Sequence, residues 1–575
     1  MSTQATLNWN APNDGQTSEV LHWDGRLDNR DDLLLLLRDR LQDDGSNAAL
    51  ARATYERYGI EGFVRLIGDW SLVLRDHANR AIVLASDFAG IRPLYYHARP
   101  ERVFWSKNLS SLVGATGITD LDEDYIRGFL LFGGCPNRTP YKDIYPVPSG
   151  HTVTVSSAGM KIRRFWHLPF GDEIRYATLR RYEEHLRTLF REAVTVRLQT
   201  EGPVLAELSG GLDSSSVVLM ATCLLRSGTA KATRLTGLSY TWRNSLDEQF
   251  IREVESFCGI ESIRVSTHDI PLMSESSVGR ATPEIFNPIH TAVAALARDR
   301  NAKVILTGLN GDLMMGNWFD DSLQVAASMR RFRLGRACEE ALAWSKILRL
   351  PVHSILWQAL RAALPPSFTS AAVYSVADGS FAPRSSETSL LPRFGEPTRD
   401  WEPGISFSDV WMQATPERRK YFRCLSTILE MRVLQPPEAL QNIEYAHPFA
   451  HRPLVEFLMA VPPDILCRPG EPRRLMRSAL SDLWPAKLRA RRSKGLFNAP
   501  WQEALKPLAR VLLNTGHLHL AERGFVDRSS VVSRLQRLSA GLDCNESQLR
   551  QIILLELWLR SRTDTRSHRQ IPQAA

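Results

Sequence analysis

Apolar and polar positions fall into two regimes along the chain. Up to about residue 170, short β-rich runs alternate with turns: "GDWSLVLRD" (Gly68 to Asp76), "RAIVLASD" (Arg80 to Asp87), "PLYYH" (Pro93 to His97) and "HTVTVSS" (His151 to Ser157). The stretch "LHWDGRLDNRDDLLLLLRDRL" adds an early strand and a helix. This pattern predicts a mostly β, layered domain. "FWHLPFGDE" (Phe165 to Glu173) has the Pro/Gly and polar composition of a linker, and helical periodicity follows from "LRRYEEHLRTLFREAVTVRL" onward. The expected domains are therefore residues 1–170 and 171–575. In the second, strand-like runs "PVLAELS", "TRLTGLSYTW" and "AKVILTG" are separated by helical segments such as "SLDEQFIREVESF" and "HTAVAALARDR". Strands alternating with helices predict an α/β domain on a parallel sheet, with ligands at the carboxyl ends of its strands.

Composition narrows the class without changing this picture. A chain of 575 residues, 43% hydrophobic and 23% charged, is long enough for at least two buried cores. The net charge of +8 arises from 71 basic and 63 acidic residues, which suits an anionic ligand and gives no reason to expect nucleic acid. No apolar run approaches the ~20 residues of a membrane span, and "MSTQATLNWNAPNDGQ" lacks the basic segment followed by an apolar one that a signal sequence has. A cytoplasmic location away from membranes is expected. Seven cysteines are scattered singly with no CxxC, which indicates neither a disulfide framework nor a zinc site. The histidines, His447 and His451 among them, show no metal spacing.

The chemistry concentrates in "LAELSGGLDSSSVVLM" (Leu205 to Met220). A buried strand leads into a Gly/Ser turn and then a helix, with Ser214 as its expected N-cap. The amino end of such a helix offers free N–H groups and a positive dipole to a phosphate. Leu208, Ser209, Gly210, Gly211, Leu212, Ser214 and Ser215 are thus the candidate nucleotide loop, the glycines allowing close backbone approach. A Walker A loop would end in Lys, whereas this one carries Asp213. An acid beside phosphates needs a cation between them, so Asp213 is expected to hold Mg²⁺.

"SGGLDSS" resembles the pyrophosphate loop of the asparagine-synthetase-like ATP pyrophosphatases, which convert a carboxylate to its acyl-adenylate. "VILTGLNGDLMMG" (Val304 to Gly316) resembles that family's second loop, which implies Gly308 beside the nucleotide and Asp312 as the second Mg²⁺ acid. "GLSYTW" (Gly237 to Trp242) implies Ser239 near the adenosine. "NIEYAHPFAHRPLVEF" (Asn442 to Phe457) and "RRSKGLFNAP" (Arg491 to Pro500) resemble later family segments. The second implies Lys494 over the α-phosphate, with Arg491 and Arg492 either assisting or merely solvated. Glu430, in "LEMRVLQPP", resembles the acid of β-lactam synthetases that deprotonates the attacking amine, although Leu309 stands where their partner Tyr would be. Glu444 is either a competing acid or a hydrogen-bonded structural carboxylate. Asp247 and Glu248 suit a helix amino end by the dipole alone.

"WDGRLDNRDDL", "GDWSLVLRD" and "DFAGIRPLYYH" resemble the class II glutamine amidotransferase domain of asparagine synthetases. That domain uses a cysteine directly after the initiator Met, whereas Ser2 stands here and the nearest cysteine is Cys135. Serine is a poor substitute for a thiolate nucleophile, so glutamine hydrolysis is not expected. The acyl-adenylate would then meet an amine of the substrate. Among relatives with silent amidotransferase domains, the chain is most similar to the lasso-peptide macrolactam cyclases, given a helical insertion at about residues 320–425. The resemblance implies ATP and Mg²⁺ as cofactors and a precursor peptide as substrate, with a leader peptidase and a leader-recognition protein as partners. Alternatives are an ammonia-dependent asparagine synthetase, a β-lactam-synthetase-like enzyme, and a non-catalytic peptide-binding scaffold.

Overall fold

The computed structural model describes residues 18–41, 45–99, 102–170, 173–242, 245–271, 281–283, 287–316, 322–364, 414–491, 498–542 and 546–569. The amino-terminal half is built from β1 (Ser18–Gly25), β2 (Trp70–Asp76), β3 (Ala81–Ser86), β4 (Tyr95–Arg99), β5 (Arg102–Ser106), β6 (Tyr145–Pro146), β7 (His151–Ser156) and β8 (Gly159–Arg164). They form an antiparallel sheet ordered β1-β2-β3-β7-β8 and a smaller one ordered β5-β4-β6. Alternation along β2 decides the layering. Leu72 and Leu74 face a core shared with Leu33, Leu37 and Leu50 of the early helices. Val73 turns the other way, to Ile82, Leu84, Tyr96 and Trp105 between the two sheets. Helices and two sheets thus stack as layers.

The second half holds a parallel sheet of β9 (Pro203–Glu207), β10 (Arg234–Thr241), β11 (Ser262–Ser266), β12 (Val304–Leu306) and β13 (Glu444–Ala446), ordered β11-β10-β9-β12-β13. Its central strand is apolar on both sides: Val204 and Ala206 enter one core, Leu205 the other. Helices cover both faces, as burial of a parallel sheet requires. From β9 the chain runs outward through β10 and β11, then returns to the opposite side for β12 and β13. The order reverses between β9 and β12, and ligands on such sheets bind in the crevice beyond that switch point.

The helical insertion is partly described. Helices Ser322–Arg330, Leu334–Leu348, Val352–Ala363 and Pro416–Glu430 contribute Val325, Ala337, Trp344, Ile355, Ala359 and Leu425 to the core that also holds Val204 and Trp70. They form one wall of the main core, and that core runs across residue 170 without a break. Residues 365–413, including the Ser/Pro-rich stretch, lie outside the described residues.

Candidate active site

The Gly/Ser loop follows β9 and the Gly-x-Asp loop follows β12, so the two expected metal acids come from either side of the switch point. Helix Leu212–Arg226 begins with Gly211 as its N-cap, three residues before the expected cap Ser214. Leu212 is buried in the main core, which draws the first turn inward. Ser214 therefore lies inside that turn and is not the cap. Its Oγ accepts a hydrogen bond from Ser209 N (3.1 Å) and lies 2.9 Å from Ser209 Oγ, folding the loop back on the helix. Gly210 has φ +74°, and a Cβ there would come 2.9 Å from Asp247 O, so both conformation and space require glycine.

The two loops pack closely. A Cβ on Gly308 would lie 2.6 Å from Ser214 N, and one on Gly311 would lie 2.7 Å from Asp213 Cβ. Asp213 and Asp312 converge on one guanidinium, that of Arg473. Arg473 Nε donates to Asp213 Oδ1 (3.0 Å), its Nη2 to Asp213 Oδ2 (2.7 Å), and the same Nη2 to Asp312 Oδ1. Sequence reasoning missed this residue, which lies 260 positions from Asp213 in an ordinary basic helix start.

Arg491 is buried rather than solvated. It donates to Gly210 O (2.6 Å), pairs with Asp247 and stacks 4.1 Å from the centre of the Phe250 ring. It therefore clamps the Gly/Ser loop to the amino end of helix Glu248–Cys258, and Asp247 has a partner beyond the dipole. The second loop is held by His447, whose Nδ1 lies 2.7 Å from Thr307 Oγ1 and whose Nε2 lies 2.9 Å from Leu434 O. Burial pushes this imidazole down to about 4. The neutral ring then donates to Leu434 O and accepts from Thr307, whose Oγ1 accepts from Leu309 N at 3.2 Å. Sequence spacing gave His447 no role.

Ser239 is buried at the carboxyl half of β10 and donates to Leu208 O at 2.7 Å. Its hydroxyl braces the strand end rather than standing open to a ligand. Glu444 opens β13 in register with Val304, at the amino ends of strands whose carboxyl ends carry the loops. There it pairs with Arg26 and, at 3.8 Å, with Arg92 of the amino-terminal half. Among its two sequence roles, this is the geometry of a structural carboxylate.

Glu430 ends helix Pro416–Glu430 and accepts from Ser426 Oγ at 3.1 Å. Nine residues earlier, or about 14 Å along a helix, Tyr421 Oη donates to Met314 O behind the second loop. Around Glu430 the chain is stitched to the amino-terminal half: Ser149 Oγ donates to Leu429 O (2.9 Å), Arg432 Nη2 to Arg138 O (3.0 Å) and Gln435 Nε2 to Gly90 O (2.8 Å). Negative charge at a helix carboxyl end is disfavoured by the dipole, which the hydrogen bond from Ser426 offsets in part. Lys494, Arg492 and Ser2 lie outside the described residues. His517, His519 and Glu522 bring donor atoms within 4.8 Å of one another, a grouping that their sequence spacing had not suggested; His517 precedes the short helix His519–Glu522, which carries the other two.

The residues at the switch point fit a nucleotide with its cation. Two carboxylates already converge on a single positive group, the donor chemistry Mg²⁺ requires. Among the described residues, Ser215 Oγ is buried without a hydrogen-bond partner, beside backbone that approaches closely only because Gly210, Gly308 and Gly311 lack side chains.

Comparison with known proteins agrees with this arrangement. The profile described as Asparagine synthase matches residues 185–560, and that described as Glutamine amidotransferase domain matches residues 22–166. Amidase chyE of Penicillium rubens is 25% identical over 302 residues, 46% of this chain and 42% of that protein. Asparagine synthetase (glutamine-hydrolyzing) 3 of Bacillus subtilis is 26% identical over 226 residues, 36% of this chain and 34% of that protein. The match thus spans less than half the length of either relative. Asparagine synthetase (glutamine-hydrolyzing) 1 of Bacillus subtilis is 19% identical over 546 residues, 91% of this chain and 83% of that protein. With a glutamine amidotransferase-like domain followed by an ATP pyrophosphatase-like one on a parallel sheet, the chain belongs to the asparagine synthase family.

Proposed function

We propose that this chain is an ATP-dependent, AMP-forming carboxylate–amine ligase that closes a macrolactam ring in a precursor peptide. The observation that carries the ligase reading is the meeting of Asp213 and Asp312 at the switch point, beside a glycine-lined loop at a helix amino end. Asp213 and Asp312 would hold Mg²⁺, and the chemistry it would supply is neutralisation of charge on the pyrophosphate leaving group. The loop from Leu208 to Ser215 seats the phosphates, and Lys494 takes the α-phosphate role that the family resemblance implies. An Asp or Glu side chain of the peptide attacks the α-phosphorus; a carboxylate O–P bond forms, the α–β bridge breaks and pyrophosphate leaves. The peptide's amino-terminal nitrogen then attacks the acyl carbon, its proton passing to Glu430, and AMP leaves as the isopeptide bond forms. An α-amine titrates near pH 8, so one carboxylate suffices as its base. Water has to be excluded meanwhile, or the adenylate hydrolyses.

Two observations support an amine of the substrate over ammonia from glutamine. The only cysteine in residues 1–170 is Cys135, which is buried, and burial pushes its thiol up to about 12. The same half of the chain instead anchors the segment around Glu430. On this reading a leader peptidase and a leader-recognition protein act before the cyclase. A second reading, an asparagine synthetase using free ammonia, is favoured by the names of the relatives and would use the same nucleotide residues. The test is incubation with α-labelled ATP, Mg²⁺ and a leader-free precursor peptide. AMP should form in step with a peptide lighter by one water. AMP formation that requires free aspartate and ammonia would establish the second reading instead.

A further inference from the structure

Arg473 precedes helix Arg474–Leu480 and holds a left-handed backbone, φ 55°. Residues other than glycine keep that conformation only where their surroundings impose it. The other such residue at this site is Asn310, φ 72°, on the second loop. The strained backbone of Arg473 and the left-handed backbone of Asn310, a residue type that tolerates that region, therefore flank a single ion triad. Arg473 forks onto both oxygens of Asp213 and reaches Asp312 with the same Nη2. The side chains of Arg473 and Asp213 are each 10% exposed and that of Asp312 is 33% exposed. The triad is nearly dry on one side and open on the side of Asp312.

We propose that Arg473 is a built-in counter-cation that keeps the metal seat closed until a nucleotide arrives, making metal entry conditional on the triphosphate. This rests on the reading that Asp213 and Asp312 hold the cation. Two carboxylates and one guanidinium sum to a single negative charge. A divalent ion entering alone must take carboxylate oxygens from the guanidinium, so the charge of these three groups and the ion turns net positive, and the ion and the guanidinium repel each other strongly where little solvent screens them. When the ion enters with ATP, the phosphates supply the missing negative charge and give the displaced guanidinium a planar, charge-assisted partner. Without nucleotide, Arg473 also holds together two acids that would otherwise repel each other across the crevice. The device thus serves both order of binding and integrity of the empty site.

The test uses the full-length chain and Mn²⁺ alone, followed by electron paramagnetic resonance of the free ion, with no substrate or turnover. Wild type without nucleotide should bind Mn²⁺ weakly. Arg473→Gln should bind one ion at least tenfold more tightly, and adding Asp213→Asn to that variant should remove the gain. With α,β-methylene-ATP, wild type should gain at least tenfold in Mn²⁺ affinity and Arg473→Gln much less. Arg473→Lys, a point charge without the fork, should fall between the two and carries the test if the Gln variant does not fold. If the analogue brings Mn²⁺ to wild type through Asp213 while Arg473→Gln or Arg473→Lys binds no better than wild type without it, the latch is wrong and the metal acids stand. If Mn²⁺ binds in no arm, the assignment of Asp213 and Asp312 as metal acids falls, and the latch with it.

Discussion

Arg26 and Glu444 form an ion pair across 418 positions of sequence, joining the turn after β1 to the first residue of β13. Arg26 also meets Asp28 (2.8 Å) and Asp69 (2.7 Å), and Asp69 in turn meets the fully buried Arg197 at 3.4 Å. Burial alone would raise Asp28, but Arg26 beside it holds the carboxyl well below the usual range. The network welds the two halves of the molecule together. Glu444→Gln should therefore lower stability by about 1–3 kcal/mol, less than the ~3–5 of a fully buried pair because the Glu444 side chain is 25% exposed. AMP formation per folded molecule should be kept. An unchanged unfolding midpoint with lost activity would move Glu444 from the interface to the chemistry.

Asp213→Asn and Asp312→Asn should each abolish Mg²⁺-dependent release of pyrophosphate. Each removes a carboxylate that faces the same positive group, and a neutral amide oxygen is a weak ligand for a hard cation. Asp213, the less exposed and doubly engaged acid, should also lose the anchor of Arg473 and unfold more readily. Release at the wild-type rate by either variant would take that acid out of the site.

Purified protein should release no glutamate from glutamine, with or without ATP. Cys135 lies against Gly128, where an added Cβ would come 2.8 Å from its Sγ, and its raised thiol is almost wholly protonated at neutral pH. Sustained, ATP-stimulated glutamate release would give the amino-terminal half a catalytic role and return the asparagine synthetase reading to first place.

What the sequence made legible follows from the range of the interactions. Alternation in "WSLVLRD" and the apolar run "PVLAE" depend on near neighbours, so both strands were visible as patterns. "SGGLDSS" was visible because a tight strand-to-helix turn and an acid at a phosphate seat are local requirements. The helix start was misplaced because Leu212 is pulled inward by a core that only the tertiary fold creates. Arg473, Arg491 and His447 were invisible or misjudged for a related reason. Each acts on a loop 140 or more positions away, and in sequence each looks like a surface cation or a packing ring. The insertion at 320–425 was visible as helices, but nothing in its period showed that Trp344 and Ile355 would join the main core.

Lys494→Ala should lower the single-turnover rate of AMP formation about 10²- to 10³-fold, the usual effect of removing a preorganised donor from developing charge. ATP affinity should stay within a few-fold, since the backbone loop supplies the ground-state contacts. Lys494→Arg should restore little, because a planar fork does not replace a point charge in a tight site. Cyclisation at the parent rate by the Ala variant would leave "RRSKG" as a solvated basic run.

His447 gives the second loop a dependence on pH whose sign is fixed by its burial. The imidazole is pushed down from 6.5 to about 4 in the folded chain, so between those values the unfolded chain takes up a proton that the folded one refuses. The stability contributed by the neutral ring is complete above about pH 6.5, falls as pH is lowered toward 4 and changes no further below it. A difference of about 2.5 pH units corresponds to about 3 kcal/mol. His447→Phe should lose about 1–3 kcal/mol at pH 7, because Thr307 and Leu434 O are left without their partner, yet show a shallower decline toward pH 5. Burial also pushes His151 down to about 4, so the informative quantity is the difference between wild type and variant in urea unfolding at pH 7 and pH 5. That difference should shrink as the pH falls, since only wild type still has His447 to protonate. A difference that stayed constant would mean that His447 does not titrate in this interval, and its role would be confined to holding Thr307 in place.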